Sequence, residues 1–305
     1  MTDPISKSGT PEVRIAVIGG SGLYQMEGFT DVEERQVSTP FGDPSDALLI
    51  GTLSGERVAF LPRHARGHKL TPTEVPYRAN IYALKSLGVE WIISVSACGS
   101  LREHMHPGEV VIPDQLVDFT KKREGSFFGR SSARLTTGGL VAHVGVADPF
   151  CPALSHLLAD ATAAAGGTVH RGGRFITIEG PRFSTKGESR LYRAWGLDII
   201  GMTTSPEAFL AREAEICYAV MAHVTDYDVW HQEEEPVSVE ALIATLNRNT
   251  ALAQRVIADV VASLADAERS CECQHALGSA FITQRDLIPR EEIERLGPIV
   301  SKYLQ

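Results

Sequence analysis

In this 305-residue chain, Thr225-Asp226-Tyr227-Asp228 is the segment best equipped for chemistry. Residues i and i+2 of an extended segment face the same side, so Asp226 and Asp228 are expected to converge on one ligand. Two carboxylates held together in a closed pocket raise one another's proton affinity, and one can then act as a general acid at neutral pH. The competing readings are a polar strand end or a cation site, and no third carboxylate or histidine stands at clear ligand spacing. Arg63-His64, followed by Arg66, His68 and Lys69, offers a planar guanidinium fork and an imidazole donor, a pair suited to a phosphate dianion. A solvated basic loop is the plain alternative. Gly19-Gly20-Ser21-Gly22 and Ser96-Ala97-Cys98-Gly99-Ser100 present hydroxyls and backbone N–H groups in turns, which also suits an anion. The first of these is not G-x-G-x-x-G and lacks the lysine of a P-loop, so a dehydrogenase is a remote reading.

Each cluster follows a short apolar run read as a strand. Residues 14–18 lead into the glycine turn. Residues 57–61, paired in a hairpin with 47–50 around Ser54-Gly55, lead into Arg63. Residues 91–97 end in the second small-residue turn, and 216–224 end at Thr225. Further strands are expected at 110–113, 174–178 and 198–200. Helices are expected at 76–87, at 153–165, from the Thr185-x-x-Glu188 capping box to Gly196, from Ser205-Pro206 to Ala214, from Ser238 to Leu264, and at 290–296. Strands and helices alternating without a low-complexity linker predict one α/β domain with a central mixed β-sheet flanked by helices. In such folds ligands gather at the carboxyl ends of strands, where these clusters lie. Residues 1–13 read as a disordered lead-in, 14–268 as the functional domain, and 269–305 as a C-terminal extension carrying the last helix.

Composition narrows the class. The net charge of -9, without a long basic run, argues against nucleic acid. No apolar run approaches the ~20 residues that span a bilayer, and the polar N-terminus lacks the apolar centre of a secretory signal, so a cytoplasmic protein is expected. The five cysteines form no regular framework. Cys271-Glu272-Cys273 can bind metal or oxidise, but no second Cys/His pair at zinc spacing is near it in sequence. No metal is therefore expected, and free thiols in a loop compete. The other histidines, His223 among them, show no convincing partners, and Trp230 is placed to shield Asp228.

A resemblance joins these clusters. Val17-Ile-Gly-Gly-Ser-Gly-Leu23, Thr39-Pro-Phe-Gly-x-Pro-Ser-Asp46, Arg63-His64-x-Arg66-x-His68, Asn80-Ile-x-Ala-Leu-Lys85 and Ser96-Ala-Cys-Gly-Ser-Leu-Arg-Glu103 resemble the methylthioadenosine branch of the purine nucleoside phosphorylases. So do Pro149-Phe-Cys-Pro152, Thr177-Ile-Glu-Gly-Pro-Arg-Phe-Ser184, Gly201-Met-Thr-Thr-x-Pro-Glu207 and Thr225-Asp-Tyr-Asp228, in the family's order across roughly 14–264. The resemblance implies phosphorolysis of 5'-methylthioadenosine in a nucleoside phosphorylase fold. It implies phosphate held by Ser21, Arg63, His64, Ser96, Thr203 and the backbone of Ala97. Met202 would lie along the ribose, Phe183 on the base and Ser184 at its edge. Asp226 would protonate N7, and Asp228 would accept from the 6-amino group. Val239, Leu242 and Ile243 would line the 5' pocket, with His68 at its mouth and His143 reaching in from a neighbouring subunit.

The resemblance further implies a homotrimer or hexamer that takes a small nucleoside and inorganic phosphate, with no cofactor, no nucleic acid and no membrane. Ser21 and Ser96 stand where threonine is more usual, and the tail after Cys273 exceeds the usual family length. Cys151 and Cys217 match positions where some thermophilic members form a disulfide, and Cys271-x-Cys273 is similar to their C-terminal C-x-C; reduced thiols are the expectation in a cytoplasmic mesophile. The rival readings are an adenosine or broad purine phosphorylase, a hydrolytic nucleosidase, and a nucleoside sensor without turnover.

Overall fold

The structure is a computed structural model describing residues 12–20, 22–129, 139–231 and 239–304, the side chains of 239–248 excepted. Its centre is the ten-residue strand β5, Trp91–Ser100. One edge of its first half runs parallel to β1, Ile15–Gly19, from Ile15 opposite Trp91 to Ile18 opposite Ser94. The other edge runs parallel to β11, Cys217–Asp226. Both neighbours are apolar and almost wholly buried, as a strand covered on two faces requires. Beyond Ser94, β5 loses β1 and its end is joined antiparallel by β10, Ile199–Gly201. The sheet parts where β5 changes neighbours, and the room for a ligand opens there. Ser96 to Ser100, expected as a turn, is therefore strand, because β10 and β11 continue to supply backbone partners.

Outward from β1 the sheet continues through β4 (Glu56–Pro62), β3 (Leu48–Leu53) and β2 (Thr30–Arg35); outward from β10 it continues through β9 (Arg174–Ile178) and β7 (Gln115–Phe119). The short strands β6, Val110–Ile112, and β8, Val169–Arg171, extend the β11 side. Helices α1 (Tyr77–Ser86), α2 (Pro152–Ala164), α3 (Lys186–Ala194), α4 (Thr204–Glu213), α5 (Val239–Leu264) and α6 (Arg290–Leu296) flank this mixed sheet. Thr185 closes the expected capping box on α3, accepting the Glu188 N–H. No helix among the described residues is long and apolar enough to cross a membrane.

The chain beyond α5 packs into the body of the molecule. Leu277, Leu296, Ile299 and Val300 are buried in the same cluster as Ile18 and Tyr218. The tail also holds the strip that carries His143: Ala142 bridges Phe281, and the His143 N–H donates to the Ala280 carbonyl. The C-x-C is not isolated either. Cys151 caps the start of α2 and Cys217 opens β11, and the fold sets both sulfurs against Cys271 and Cys273. The expectation that no second pair lies near the C-x-C holds along the sequence and fails in space.

Candidate active site

A cavity of about 620 Å³ lies where β5 changes partners. It is lined by Arg63, His64, His68, Ser96, Ala97, Phe183, Ser184, Met202, Thr203, Asp226 and Asp228, so eleven residues singled out from sequence meet in one place. Ser21 lies outside the described residues, although Gly20 and Gly22 on either side of it line the cavity. Val239, Leu242 and Ile243 fall in the first turns of α5, where side chains are not described; Asn249, Thr250 and Ala253, further along that helix, do line the cavity. His143 is exposed and lies off the cavity of its own chain. Trp230 does not itself line the cavity: its Nε1–H donates to the Ser100 carbonyl at 2.8 Å, the Arg193 guanidinium covers its ring at 3.6 Å, and it packs against the cluster that holds the cavity residues Ile178 and Ile200.

The two aspartates converge by a route other than the one their spacing suggested. β11 ends at Asp226, and Asp228 sits in left-handed backbone at φ 52°. The Asp228 N–H donates to Asp226 Oδ1 at 2.8 Å, a local side-chain-to-backbone turn that aspartate is suited to close. Asp226 Oδ2 accepts from the Thr225 hydroxyl at 2.6 Å. Burial pushes the Asp228 carboxyl above its ordinary range, and the charge of Asp226 adds to that rise, while the nearby Ser189 and Ser184 hydroxyls oppose it. Gly99 makes the approach possible. A Cβ there would meet Asp226 Oδ1 at 2.9 Å, too close for that carboxylate to keep its place, and would crowd Asp228 Cβ at 3.3 Å.

Arg63 departs from the expected fork on phosphate. Its Nε and Nη2 both donate to the Glu207 carboxylate at 2.8 Å, and Nη2 also donates to Ser94 Oγ at 2.6 Å. Nη1 donates to the Val95 carbonyl at 3.1 Å, so the guanidinium brings its charge and little more than one N–H to the cavity. Arg63 is 3% exposed and Glu207 is wholly buried; the Ser94 and Tyr218 hydroxyls also donate to Glu207. Glu207 stands inside a motif read from sequence, yet nothing in the spacing marked it as the partner of Arg63. Arg123 escaped notice as well. It donates to the carbonyls of Met202 and Ser205 at 2.6 and 2.7 Å, fixing the loop that brings Met202 and Thr203 to the site.

His64 also differs from expectation. Nδ1 lies 2.9 Å from the Leu70 carbonyl, which can only accept, so Nδ1 carries the proton. Desolvation, reinforced by the Arg63 charge, lowers the pKa of the ring to about 4. The neutral ring therefore offers Nε2 as an acceptor, not the donor expected. Its other face stacks on His68 at 4.4 Å.

His223, on β11, lines the same cavity with neither ring nitrogen partnered among the described residues, and burial lowers its pKa to about 4. An unfolded histidine titrates near 6.5, so between pH 6.5 and 4 the unfolded chain binds a proton that folded His223 refuses. Stability is expected to fall as pH falls through that window, by ~3 kcal/mol from this residue, and to be indifferent to it above pH 6.5. Urea midpoints at pH 7 and 4.5 test this. His223→Leu should lose that part of the pH dependence, and an unchanged dependence would refute the burial argument.

The family profile of the phosphorylase superfamily matches residues 14–262. A relative named S-methyl-5'-thioadenosine phosphorylase from Gloeobacter violaceus is 54% identical over 96% of this chain and 97% of its own. Among solved structures, a methylthioadenosine phosphorylase from an antarctic soil metagenomic library is 47% identical. It superposes with a TM-score of 0.89 over 95% of this chain and 99% of its own. The enzyme of that name from Schistosoma mansoni, in complex with adenine, is 38% identical, with a TM-score of 0.81 over 88% of this chain and 96% of its own. The 4% left unmatched by the Gloeobacter relative is shorter than the tail after Cys273. The expectation that this tail exceeds family length is thus corrected: much of it is shared.

Proposed function

The chain belongs to the phosphorylase superfamily and, within it, to the S-methyl-5'-thioadenosine phosphorylases, and from that footing we propose that it cleaves 5'-methylthioadenosine with inorganic phosphate to adenine and 5-methylthioribose-1-phosphate. One observation carries the reading. A single cavity joins a pair of aspartates to a cluster of Arg63, His64, Ser96 and Thr203. Cleavage of an N-glycosidic bond builds positive charge on the sugar and negative charge on the base. A phosphate beneath C1' stabilises the first and acts as nucleophile, and a proton at N7 neutralises the second. No organic cofactor or resident metal enters this chemistry.

In this proposal phosphate rests among the Ser96 and Thr203 hydroxyls, the backbone at Ala97 and the remaining N–H of Arg63, with Ser21 completing the cradle. Support comes from Thr203, whose side chain caps none of the backbone of α4 and so stays available. Monohydrogen phosphate keeps one hydroxyl at neutral pH, and that hydroxyl donates to His64 Nε2. Met202 runs along the ribose, and Phe183, more than two-fifths exposed, offers its ring to the base with Ser184 at the edge. Asp226 delivers the proton to N7. Asp228, when ionised, only accepts hydrogen bonds, so it favours a 6-amino group over a 6-carbonyl. Val239, Leu242, Ile243 and His68 enclose the methylthio group, with His143 of a neighbouring copy, and the assembly is a trimer or a pair of trimers.

The deciding assay measures adenine release from methylthioadenosine with and without phosphate, beside adenosine and inosine. Release is expected to require phosphate, to be fastest with methylthioadenosine and to be ~10⁴-fold slower or worse with inosine. Release without phosphate would make the enzyme a hydrolase and remove the assigned phosphate site. Equal rates with adenosine would reassign the substrate to adenosine.

A further inference from the structure

At the end of β11 opposite Asp226, four sulfurs from three distant stretches of chain meet. Cys151 precedes α2, Cys217 opens β11, and Cys271 and Cys273 lie in the segment after α5, where Glu272–His275 forms a 3-10 turn. All four Sγ atoms lie within 4.8 Å of one another. Cys217 and Cys271 are 3.2 Å apart, and Cys151 and Cys271 are 3.6 Å apart. A tetrahedral tetrathiolate centre with zinc–sulfur bonds of about 2.3 Å has sulfur–sulfur edges of about 3.8 Å; the separations, from 3.2 Å to no more than 4.8 Å, bracket that edge, so small side-chain shifts would seat one ion at the middle.

We propose that Cys151, Cys217, Cys271 and Cys273 bind one zinc ion as a structural site that pins the C-terminal segment to α2 and β11. Three of the sulfur-bearing residues are buried and Cys271 is half-buried, which closes the site and leaves one side for entry. Around the cluster the packing is apolar, with Trp91, Leu154 and Leu158 in the same core, so lone thiols would serve there as small hydrophobes. Arg212 argues for more than packing. Its Nη1 donates to Cys273 Sγ at 3.3 Å and its Nε to the Gly145 carbonyl, setting a fixed positive charge against a centre that carries surplus negative charge. Four sulfur donors in a tetrahedron select zinc over magnesium or calcium. Each sulfur that enters as a thiol releases its proton to solvent, and no electrons change hands.

The test uses the intact protein, purified in reductant, stripped with a chelator, reloaded with zinc chloride and passed through gel filtration. Elemental analysis and native mass spectrometry are expected to give about one zinc per chain. Arg212→Ala is expected to weaken zinc binding ~10–100-fold in competition with a chromogenic chelator while the protein stays folded. Reloaded wild type that holds no zinc and still titrates as free thiols would overturn the proposal. A denatured mass lowered by pairs of hydrogens would overturn it in favour of disulfides, and tighter retention of iron or copper would overturn the choice of metal. Nucleoside cleavage does not enter these readouts, so the site stands or falls separately from the proposed activity.

Discussion

Asp226→Asn is expected to lower kcat for methylthioadenosine by roughly 10²–10⁴-fold while leaving the fold and the KM for phosphate nearly unchanged. The geometry explains why the fold survives. The asparagine carbonyl keeps the bond from the Asp228 N–H now made by Asp226 Oδ1, and its amide can donate to the Thr225 hydroxyl, which has lone pairs to spare. What asparagine cannot do is give up a proton. It can hold N7 by a hydrogen bond but cannot neutralise the charge that develops as the glycosidic bond breaks, so the loss falls on kcat. Steady-state kinetics beside thermal melts would separate the two. A loss smaller than tenfold would move the acid role to Asp228, the carboxyl that burial pushes upward. In that case Asp228→Asn would show the large fall instead, and the rate would follow the Asp228 titration as pH rises.

The two aspartates also show how far the sequence could be read. Their convergence was legible because they are two residues apart at the end of an apolar run. The means was not, because the turn that joins them depends on a left-handed Asp228 and on Gly99 across the sheet making room. Strands buried on two faces, such as β1 and β11, announced themselves by composition. β2 did not: Thr-Asp-Val-Glu-Glu-Arg is an exposed edge strand paired, among the described residues, with β3 alone, and its single apolar residue, Val32, shows no alternation. β8 has three residues, too few for any period to show. The tail reads as an appendage because it follows the last segment that resembles the family, yet Leu296 and Val300 lie in the main core. The cysteine cluster was hidden for another reason. Its members are separated by long stretches of chain, and zinc spacing is recognisable in sequence only when ligands come in near pairs.

Glu207 marks the deepest limit of that reading and supports the second large effect. Glu207→Gln is expected to destabilise the protein by ~3–5 kcal/mol, since it leaves Arg63 charged, buried and short of its countercharge. Neutralising the arginine offers no escape, because the guanidinium stays protonated at any accessible pH. Besides its charge, Glu207 supplies both oxygens of the bidentate pair and accepts from Ser94 and Tyr218. An amide replaces one of those acceptors with a donor facing N–H groups. The functional consequence runs through position. Freed from Glu207, Arg63 can swing toward phosphate, so KM for phosphate should change more than KM for the nucleoside. Urea unfolding and a phosphate titration at saturating nucleoside measure the two effects. A variant that kept its stability would mean that solvent reaches the pair, whereas lost stability with an unchanged phosphate KM would mean that Arg63 has no part in holding the anion.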